Sequence, residues 1–439
     1  MRRRRRLLAG GLIAALGLLG WAGCRKLFPA ADPEELADLL GRAKAQGLVT
    51  SIEEIAESYV ASDDDSSPIY HAIDSLGLSG DFETLQDYFG GRATAADAER
   101  ALEDAAEYVK ELEAAASKAD FTPLRNMREP YSAFFPGYAQ IKAAAQVFAA
   151  RALLRAEQGK PDEALGDMAL AANVVRHANA ERFLIARFMC TACIAIWARG
   201  AQKTASVLHA NAETLQRLSE LAAHLPEPDY KEALGFEIAS ARQTLRLIKR
   251  RELSGSELPY GGGLPSGEEN SENPFVDSLF RSRADQAEIL FIRHIVEVVE
   301  VWHDPARVRA LSEENERLLG ERWWDPAAVF AAIYLPDAAR LVERELETTA
   351  ILRAARIALA AAHIRAKTGE WPTLADAARA AGVPTADPFD TAREMAYLAS
   401  EGGLLVYSVG PNGKDDGGSR RDKNRRVNFD VGVFEIMLK

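Results

Sequence analysis

Four segments near the end of the chain decide the fold: residues 337–367, then Glu370-Trp371-Pro372-Thr373-Leu374, then Asp387-Pro388-Phe389-Asp390, and last Leu405-Val406-Tyr407-Ser408-Val409-Gly410-Pro411-Asn412-Gly413. In the first, apolar residues recur at steps of three or four from Val342 to Ala366, which predicts one long helix with a continuous apolar stripe. Gly369 follows a basic last turn and Pro372 cannot continue a helix, so both indicate where this helix ends. The later segments predict a short helix and then strands.

The strands are short and lie at 396–398, 404–409, 427–431 and 433–438, with Glu401-Gly402-Gly403 as a hairpin turn. Because such strands need a covering helix to form a stable sheet, residues 336–439 are predicted to form a small α+β module. We expect the C-terminal half of the long helix to cover the sheet and its N-terminal half, with Leu341 and Leu346, to contact upstream helices. The small core is expected to contain Leu359, Ile364, Leu374, Leu405 and Tyr407.

The chain before this module has the pattern of consecutive helices. Residues 32–253 are predicted to form a helical domain, 254–274 a flexible loop rich in glycine and proline, and 275–335 a helical continuation. Asp32 before Pro33, and Ser51 three residues before Glu54, are signals of helix N-termini. Short connections predict antiparallel neighbours. The predicted fold class is therefore mainly α, an irregular antiparallel helical domain followed by the α+β module.

One hairpin of that domain, residues 152–165, resembles a unit of the tetratricopeptide repeats. Gly159 ends one helix, and Asp162-Glu163-Ala164-Leu165 begins the next. No second copy follows at the expected period, so the resemblance implies a hairpin-repeat-like domain and not a regular superhelix.

The N-terminus has the pattern of an export signal. Arg2–Arg6 precede an uninterrupted apolar run that continues to Cys24, and a run of that length also suits an uncleaved membrane anchor. Trp21-Ala22-Gly23-Cys24 resembles a bacterial lipoprotein signal, which implies lipidation of Cys24. Either form would leave the body outside the cytoplasm of a bacterial cell, attached to the membrane.

The charge balance argues against nucleic acid as a partner. The chain carries 65 acidic and 53 basic side chains, and five of the basic ones belong to the N-terminal run. Affinity for phosphate backbones comes from clustered Lys and Arg. Because the N-terminus is predicted to attach the chain to the membrane, we expect the membrane and other envelope proteins as partners instead.

Two motifs have the spacing of metal or redox sites. Cys190-Thr191-Ala192-Cys193 lies in a strongly apolar helix, and zinc needs about four ligands, so these cysteines are predicted to belong to the core. Glu300-Val301-Trp302-His303 has di-iron spacing, but a second such motif is missing and Asp304-Pro305 follows, so a helix C-terminus is the preferred interpretation.

The chain contains no His-Glu-x-x-His, Gly-x-Ser-x-Gly, Walker A or Gly-x-Gly-x-x-Gly motif. We therefore predict no catalytic residues and a non-enzymatic protein. The alternative is an exported hydrolase with a site in the helical body, because acids and bases can converge from distant parts of a chain.

The C-terminal region resembles the periplasmic part of the major pseudopilins of type II secretion. The resemblance rests on the ordered set of the long helix, Trp371-Pro372-Thr373, Asp387-Pro388-Phe389, Tyr397 and Tyr407-Ser408-Val409-Gly410-Pro411-Asn412-Gly413. It covers roughly residues 350–434 and implies a role in secretion or envelope assembly. Asn412 stands where the family has an aspartate.

In that family the loop after the last motif holds calcium. The resemblance implies that the ligands here would be Asn412, Asp415, Asp416, Asp422 and Asp430. Calcium prefers six to eight oxygen ligands from a flexible loop. However, residues 412–430 contain six basic against four acidic side chains, so a salt-bridged loop without metal is the competing interpretation.

Overall fold

The computed structural model describes residues 31–59, 62–75, 82–123, 137–252, 274–322, 325–419 and 430–437. Within these residues the chain is mainly helical with one three-stranded antiparallel sheet, which confirms the predicted fold class at that level. The predicted N-terminal signal with Cys24, residues 254–273 of the predicted loop, and Asp422 lie outside the described residues.

The helices in the described residues are α1 (Pro33–Ala45), α2 (Ile52–Ser58), α3 (Ser67–Ser75), α4 (Glu83–Gly90), α5 (Ala95–Asp104), α6 (Ala106–Ala116), α7 (Tyr138–Glu157), α8 (Pro161–Ala180), α9 (Leu184–Val207), α10 (Ala212–Ala223), α11 (Tyr230–Arg250), α12 (Pro274–Glu300), α13 (Pro305–Glu321), α14 (Pro326–Tyr334), α15 (Ala338–Thr368) and α16 (Leu374–Ala381). The strands are β1 (Ala396–Ser400), β2 (Gly403–Ser408) and β3 (Val431–Met437). The last predicted strand, 433–438, corresponds to β3, which begins at Val431, and residues 427–429 of the strand predicted before it lie outside the described residues.

The chain divides into two compact units that differ from the predicted domains. The described residues of unit 1 lie within 31–59 and 231–342, and those of unit 2 lie within 62–123, 137–230 and 343–437. The helices predicted as one domain at 32–253 therefore fall into both units. The sheet belongs to unit 2, together with α3–α10.

Unit 1 is held together by helix packing and by ion pairs. Arg42 on α1 donates to both carboxylate oxygens of Glu300 on α12, Nε to Oε1 at 3.0 Å and Nη2 to Oε2 at 2.9 Å. Arg242 on α11 lies 2.6 Å from Glu288 on α12. One apolar cluster of this unit consists of Leu245, Ile248, Ala284, Ala287, Ala327 and Phe330.

In unit 2, the helices and the sheet share one apolar core. The same buried cluster contains Phe148 of α7, Trp197 of α9, Leu218 of α10, Leu359 of α15 and Phe434 of β3. Two polar contacts tie α15 to α10: Arg356 donates to the carbonyl of Ala222 at 3.0 Å, and His363 lies 2.9 Å from the carbonyl of Ala212. The C-terminal elements therefore do not have a separate core.

The sheet presents a different face to α15 than the sequence suggested. Its strands are ordered β1-β2-β3, and Leu404 and Val406 of β2 point into the core with Phe434 and Ile436 of β3. Leu405 and Tyr407, which were predicted in that core, lie on the opposite face. The reason is that Leu404–Tyr407 are all apolar or aromatic, so the run does not reveal which alternate set faces inward.

Helix α9 is the one helix of the described residues that is long and apolar enough to cross a membrane, with a mean hydropathy of 1.4 over its most apolar window. Trp197 and Ile194 of this helix are fully buried in unit 2. The core helix of a folded domain meets the same length and composition criteria.

Candidate functional site

Two of the segments that carry the resemblance, the turn 387–390 and Tyr407–Gly413, meet at the end of β2, where the Asp387 carboxylate joins them. Asp387 is fully buried. Its Oδ1 accepts from Ser408 Oγ and from the Phe389 N–H, both at 2.8 Å, and its Oδ2 accepts from the Val409 N–H at 2.9 Å. A buried carboxylate is tolerated only when such donors replace water. Asp387 therefore fixes the point at which β2 becomes the loop 410–419.

Loss of the Asp387 carboxylate should destabilise unit 2. We expect Asp387→Ala to lower the free energy of unfolding by about 3 kcal/mol, because it leaves two buried donors of the Ser408–Val409 segment unpaired. The matched control is Asp390→Ala in the same turn, since the Asp390 carboxylate is substantially exposed, accepts the Ala392 N–H at 3.2 Å and lies 3.8 Å from Arg393 Nε. Urea unfolding followed by circular dichroism measures both; equal effects would contradict the assigned role.

The loop 410–419 is closed by Asp430, the first described residue before β3. Its Oδ2 accepts from the N–H groups of Gly418 at 2.7 Å and Ser419 at 3.2 Å, and its Oδ1 accepts from the Asp416 N–H at 3.2 Å. Burial raises the pKa of the Asp430 carboxyl, and these amides oppose that rise. Asp430 thus holds the loop with both of its oxygens.

The other predicted calcium ligands of the described residues also bind groups of the loop. Asp415 Oδ1 accepts from Tyr407 Oη at 2.7 Å and from the Gly417 N–H at 3.0 Å. The Tyr407 hydroxyl, followed by the Gly417 amide, holds the pKa of Asp415 below its usual value. Asn412 donates from Nδ2 to Asp416 Oδ2 at 2.9 Å.

The structure brings Asn412, Asp415, Asp416 and Asp430 into one loop but not into a ligand shell. Among the described residues, no group of three or more His, Cys, Asp or Glu side chains could hold a metal ion. The acids instead accept from amides and a phenol of the protein itself. A calcium site here would require these oxygens to turn away from their donors, or Asp422 to supply the missing contacts.

We expect calcium to leave the stability of the protein unchanged. The loop already satisfies its carboxylates, and a segment with more basic than acidic side chains repels a dication. The midpoint of thermal unfolding should therefore agree within about 1 °C between millimolar CaCl₂ and EDTA, a difference far smaller than a bound ion would produce. A higher midpoint in calcium that Asp430→Asn abolishes would contradict this expectation.

The two motifs with metal or redox spacing have structural roles in the described part of the chain. Cys190 and Cys193 are free and fully buried, which confirms the prediction that they belong to the core. Burial raises the pKa of the Cys190 thiol to about 12, so this thiol does not readily form the reactive thiolate. Glu300 is paired with Arg42, and His303 lies in the turn that follows α12.

The sequence did not reveal the buried ion network between α6, α7 and α8. Arg151 donates from Nε to Asp167 at 2.9 Å and also pairs with Glu113, while Arg155 Nη1 lies 2.9 Å from the other Asp167 oxygen. The side chains of Arg151 and Asp167 are only 9% and 1% exposed. Burial raises the pKa of Asp167, and the arginines oppose this. The spacing of these residues within each helix gave no signal that they meet.

A shallow groove between α4 and α5 contains several acidic side chains, as a hydrolase site would require. It is lined by Thr84, Asp87, Ala93, Asp97, Arg100, Ala101 and Asp104. Asp87 is paired with Arg92, and Asp97 forms the capping box of α5 with Thr94. Both acids therefore hold local structure.

No protein-family model matches the chain, and no curated protein or solved structure matches it significantly.

Proposed function

We propose that this is a non-enzymatic protein of the bacterial cell envelope. It is attached to the membrane by its N-terminus, with its body outside the cytoplasm, and it binds other envelope proteins through its helices and a pseudopilin-like C-terminal part. Its role is in secretion or envelope assembly. The attachment is supported by Arg2–Arg6 and the apolar run that ends at Cys24.

The observation that carries the proposal is the convergence of the pseudopilin-like segments. Tyr397 Oη donates to the carbonyl of Pro372 at 2.9 Å, and Ser408 Oγ donates to Asp387 at 2.8 Å. The order of the elements along the chain also supports the proposal: the long helix α15, the short helix α16, the turn 387–390, the hairpin of β1 and β2, and the loop 410–419. Residues that lie far apart in the sequence thus support one another in space.

The hairpin of α7 and α8 supports the helical, interaction-type part of the proposal. Gly159 adopts a left-handed conformation with φ of 72° between the helices, and Pro161 begins α8. The turn at Gly159 supports the tetratricopeptide resemblance, in which a glycine ends the first helix. Stacked hairpins of this kind commonly provide surfaces for protein partners.

Fractionation of cells tests the attachment. The full chain should be found in the membrane fraction, and deletion of residues 2–24 should move it to the soluble fraction. Cys24→Ser should abolish labelling by an alkyne fatty acid if Cys24 is lipidated and should change nothing if the apolar run is an uncleaved anchor. Recovery of the intact full chain from the cytosol would contradict both forms of attachment.

Photo-crosslinking in cells tests the binding role. A photoreactive residue at the exposed Glu435 of β3 should form adducts with envelope proteins, identified by mass spectrometry. The matched control is the same residue at Arg379 on α16, whose side chain is 77% exposed. Identical adduct patterns at both positions, or none at Glu435, would contradict a binding role for the sheet.

A further inference from the structure

Strand β1 forms an edge of the sheet in unit 2. It pairs with β2 alone, from Ala396↔Tyr407 to Ser400↔Gly403 without a bulge. Leu398 in its centre is 52% exposed, and Ala399 and Ser400 are exposed as well. The other edge is covered, because the N–H of Met437 in β3 donates to Ser206 Oγ at the end of α9 at 3.2 Å.

The outward backbone groups of β1 belong to Tyr397 and Ala399. Met395, just before the strand, donates its N–H to the carbonyl of Thr385, which lies on the side away from β2. Because successive residues of a strand alternate in direction, Tyr397 and Ala399 point the same way as Met395, while Leu398 bonds to Leu405. Among the described residues, no hydrogen bond outside the strand ladder reaches the N–H of Tyr397 or Ala399.

This edge lacks the features that prevent pairing with another chain. Natural edge strands are usually protected by lysine, proline, a bulge or a covering element. The sequence Ala396-Tyr397-Leu398-Ala399-Ser400 contains no charged residue and no proline, and the bulge of the sheet lies between β2 and β3. Trp371 Nε1 donates to the Ser400 carbonyl at 2.8 Å and Tyr397 Oη donates to the Pro372 carbonyl at 2.9 Å, but neither bond uses an outward backbone group of Tyr397 or Ala399. The bridge Ala386↔Glu394 lies before β1. The edge can therefore accept another strand at Tyr397 and Ala399.

We propose that the partner of this edge is β1 of a second copy of the chain, paired antiparallel about a two-fold axis at Leu398. The strand is complementary to itself in this arrangement. Leu398 faces its own copy, and each large Tyr397 lies opposite the small Ala399 of the second copy. Since β1 has no charged side chain, the pairing brings no like charges together.

The geometry makes the pairing specific at the level of single residues. Tyr397 and Ala399 of the second copy form hydrogen-bonded pairs, and the two Leu398 residues form the closer, non-hydrogen-bonded pair with Cα atoms about 4.5 Å apart. That distance suits a disulfide if both leucines are replaced by cysteine. Two Ser400 residues would instead lie about 13 Å apart, because each faces Ala396.

Disulfide trapping in the full chain tests the pairing. In a Cys24→Ser background, purified in mild detergent, Leu398→Cys should form a covalent dimer on gentle oxidation, while Ser400→Cys should remain monomeric. Cys190 and Cys193 do not compete, because both are fully buried. Equal dimer yields at positions 398 and 400, or none at 398, would overturn the proposal, as would linkage of position 398 to an unrelated chain.

Two further variants separate pairing from folding. Ala399→Pro removes only an outward N–H, which an edge strand tolerates, and should lower the dimer yield of Leu398→Cys at least tenfold. Leu398→Lys in the otherwise native chain places two charges face to face and should shift the mass in sedimentation equilibrium to that of the monomer. Circular dichroism verifies that both remain folded. A dimer that persists in both folded variants would exclude β1 as the interface.

Discussion

Replacement of Leu359 by Asp is expected to unfold α7–α10 together with the sheet, and not the C-terminal elements alone. Leu359 is fully buried on α15, in the cluster that also contains Leu218 of α10 and Phe434 of β3. An unpaired carboxylate at this position costs on the order of 4 kcal/mol. Because both sets of elements share this core, both should lose it together.

Hydrogen exchange read by mass spectrometry can distinguish the two outcomes in the full chain. We expect amides of residues 137–223 and of residues 374–419 and 430–437 to lose protection in parallel. Leu359→Asn is the matched control, since asparagine has the same shape as aspartate but carries no charge. The difference between the two variants should shrink as the pH falls and the new carboxyl takes up a proton. Loss of protection confined to residues 374–419 and 430–437 would instead indicate that the C-terminal elements form an independent module.

The helices could be predicted well from local signals. Asp304 before Pro305 caps α13 as its side chain accepts the Arg307 N–H at 3.1 Å, and Gly369 takes the left-handed conformation after α15 with φ of 86°. Such signals act within one turn of the chain. The break at Ala105, which separates α5 from α6, has no comparable signal in the sequence.

The shared core could not be predicted because it depends on how α15 is surrounded. The sequence suggested a single apolar stripe, yet residues 357–362 are all buried, which is more than a full turn. Alanine, which fills most of these positions, suits a solvated or a packed face equally. A helix that is buried all round lies between two layers, here the sheet and the helices of unit 2.

The residues of the candidate site could be predicted from the sequence, but the groups that they bind could not. Asp415 and Asp430 are of the residue type that binds calcium. The structure shows that they accept hydrogen bonds from protein donors instead. Whether a carboxylate faces an amide or is free for a cation depends on the loop backbone, which glycines at 410, 413, 417 and 418 direct through positive φ angles. Sequence spacing alone does not specify that path.

Replacement of Gly432 by Ala should be among the most damaging single changes in unit 2. Gly432 in β3 has a φ of 63°, and a Cβ there would lie 2.6 Å from the backbone C and O atoms of Ala350 in α15. The left-handed conformation alone costs a residue with a Cβ about 1–2 kcal/mol. The contact with a helix backbone, which cannot rotate away, should raise the total to about 3 kcal/mol or more.

Gly413→Ala is the matched control for this prediction. Gly413 has nearly the same φ, 65°, but nothing lies within 4 Å of a Cβ at that position. The control variant should therefore show only the conformational cost, so the difference between the two variants in urea unfolding measures how closely β3 approaches α15. If Gly432→Ala were no more destabilising than Gly413→Ala, the strand could not lie against the helix backbone, and the sheet and the helices would not share the core that α15 provides.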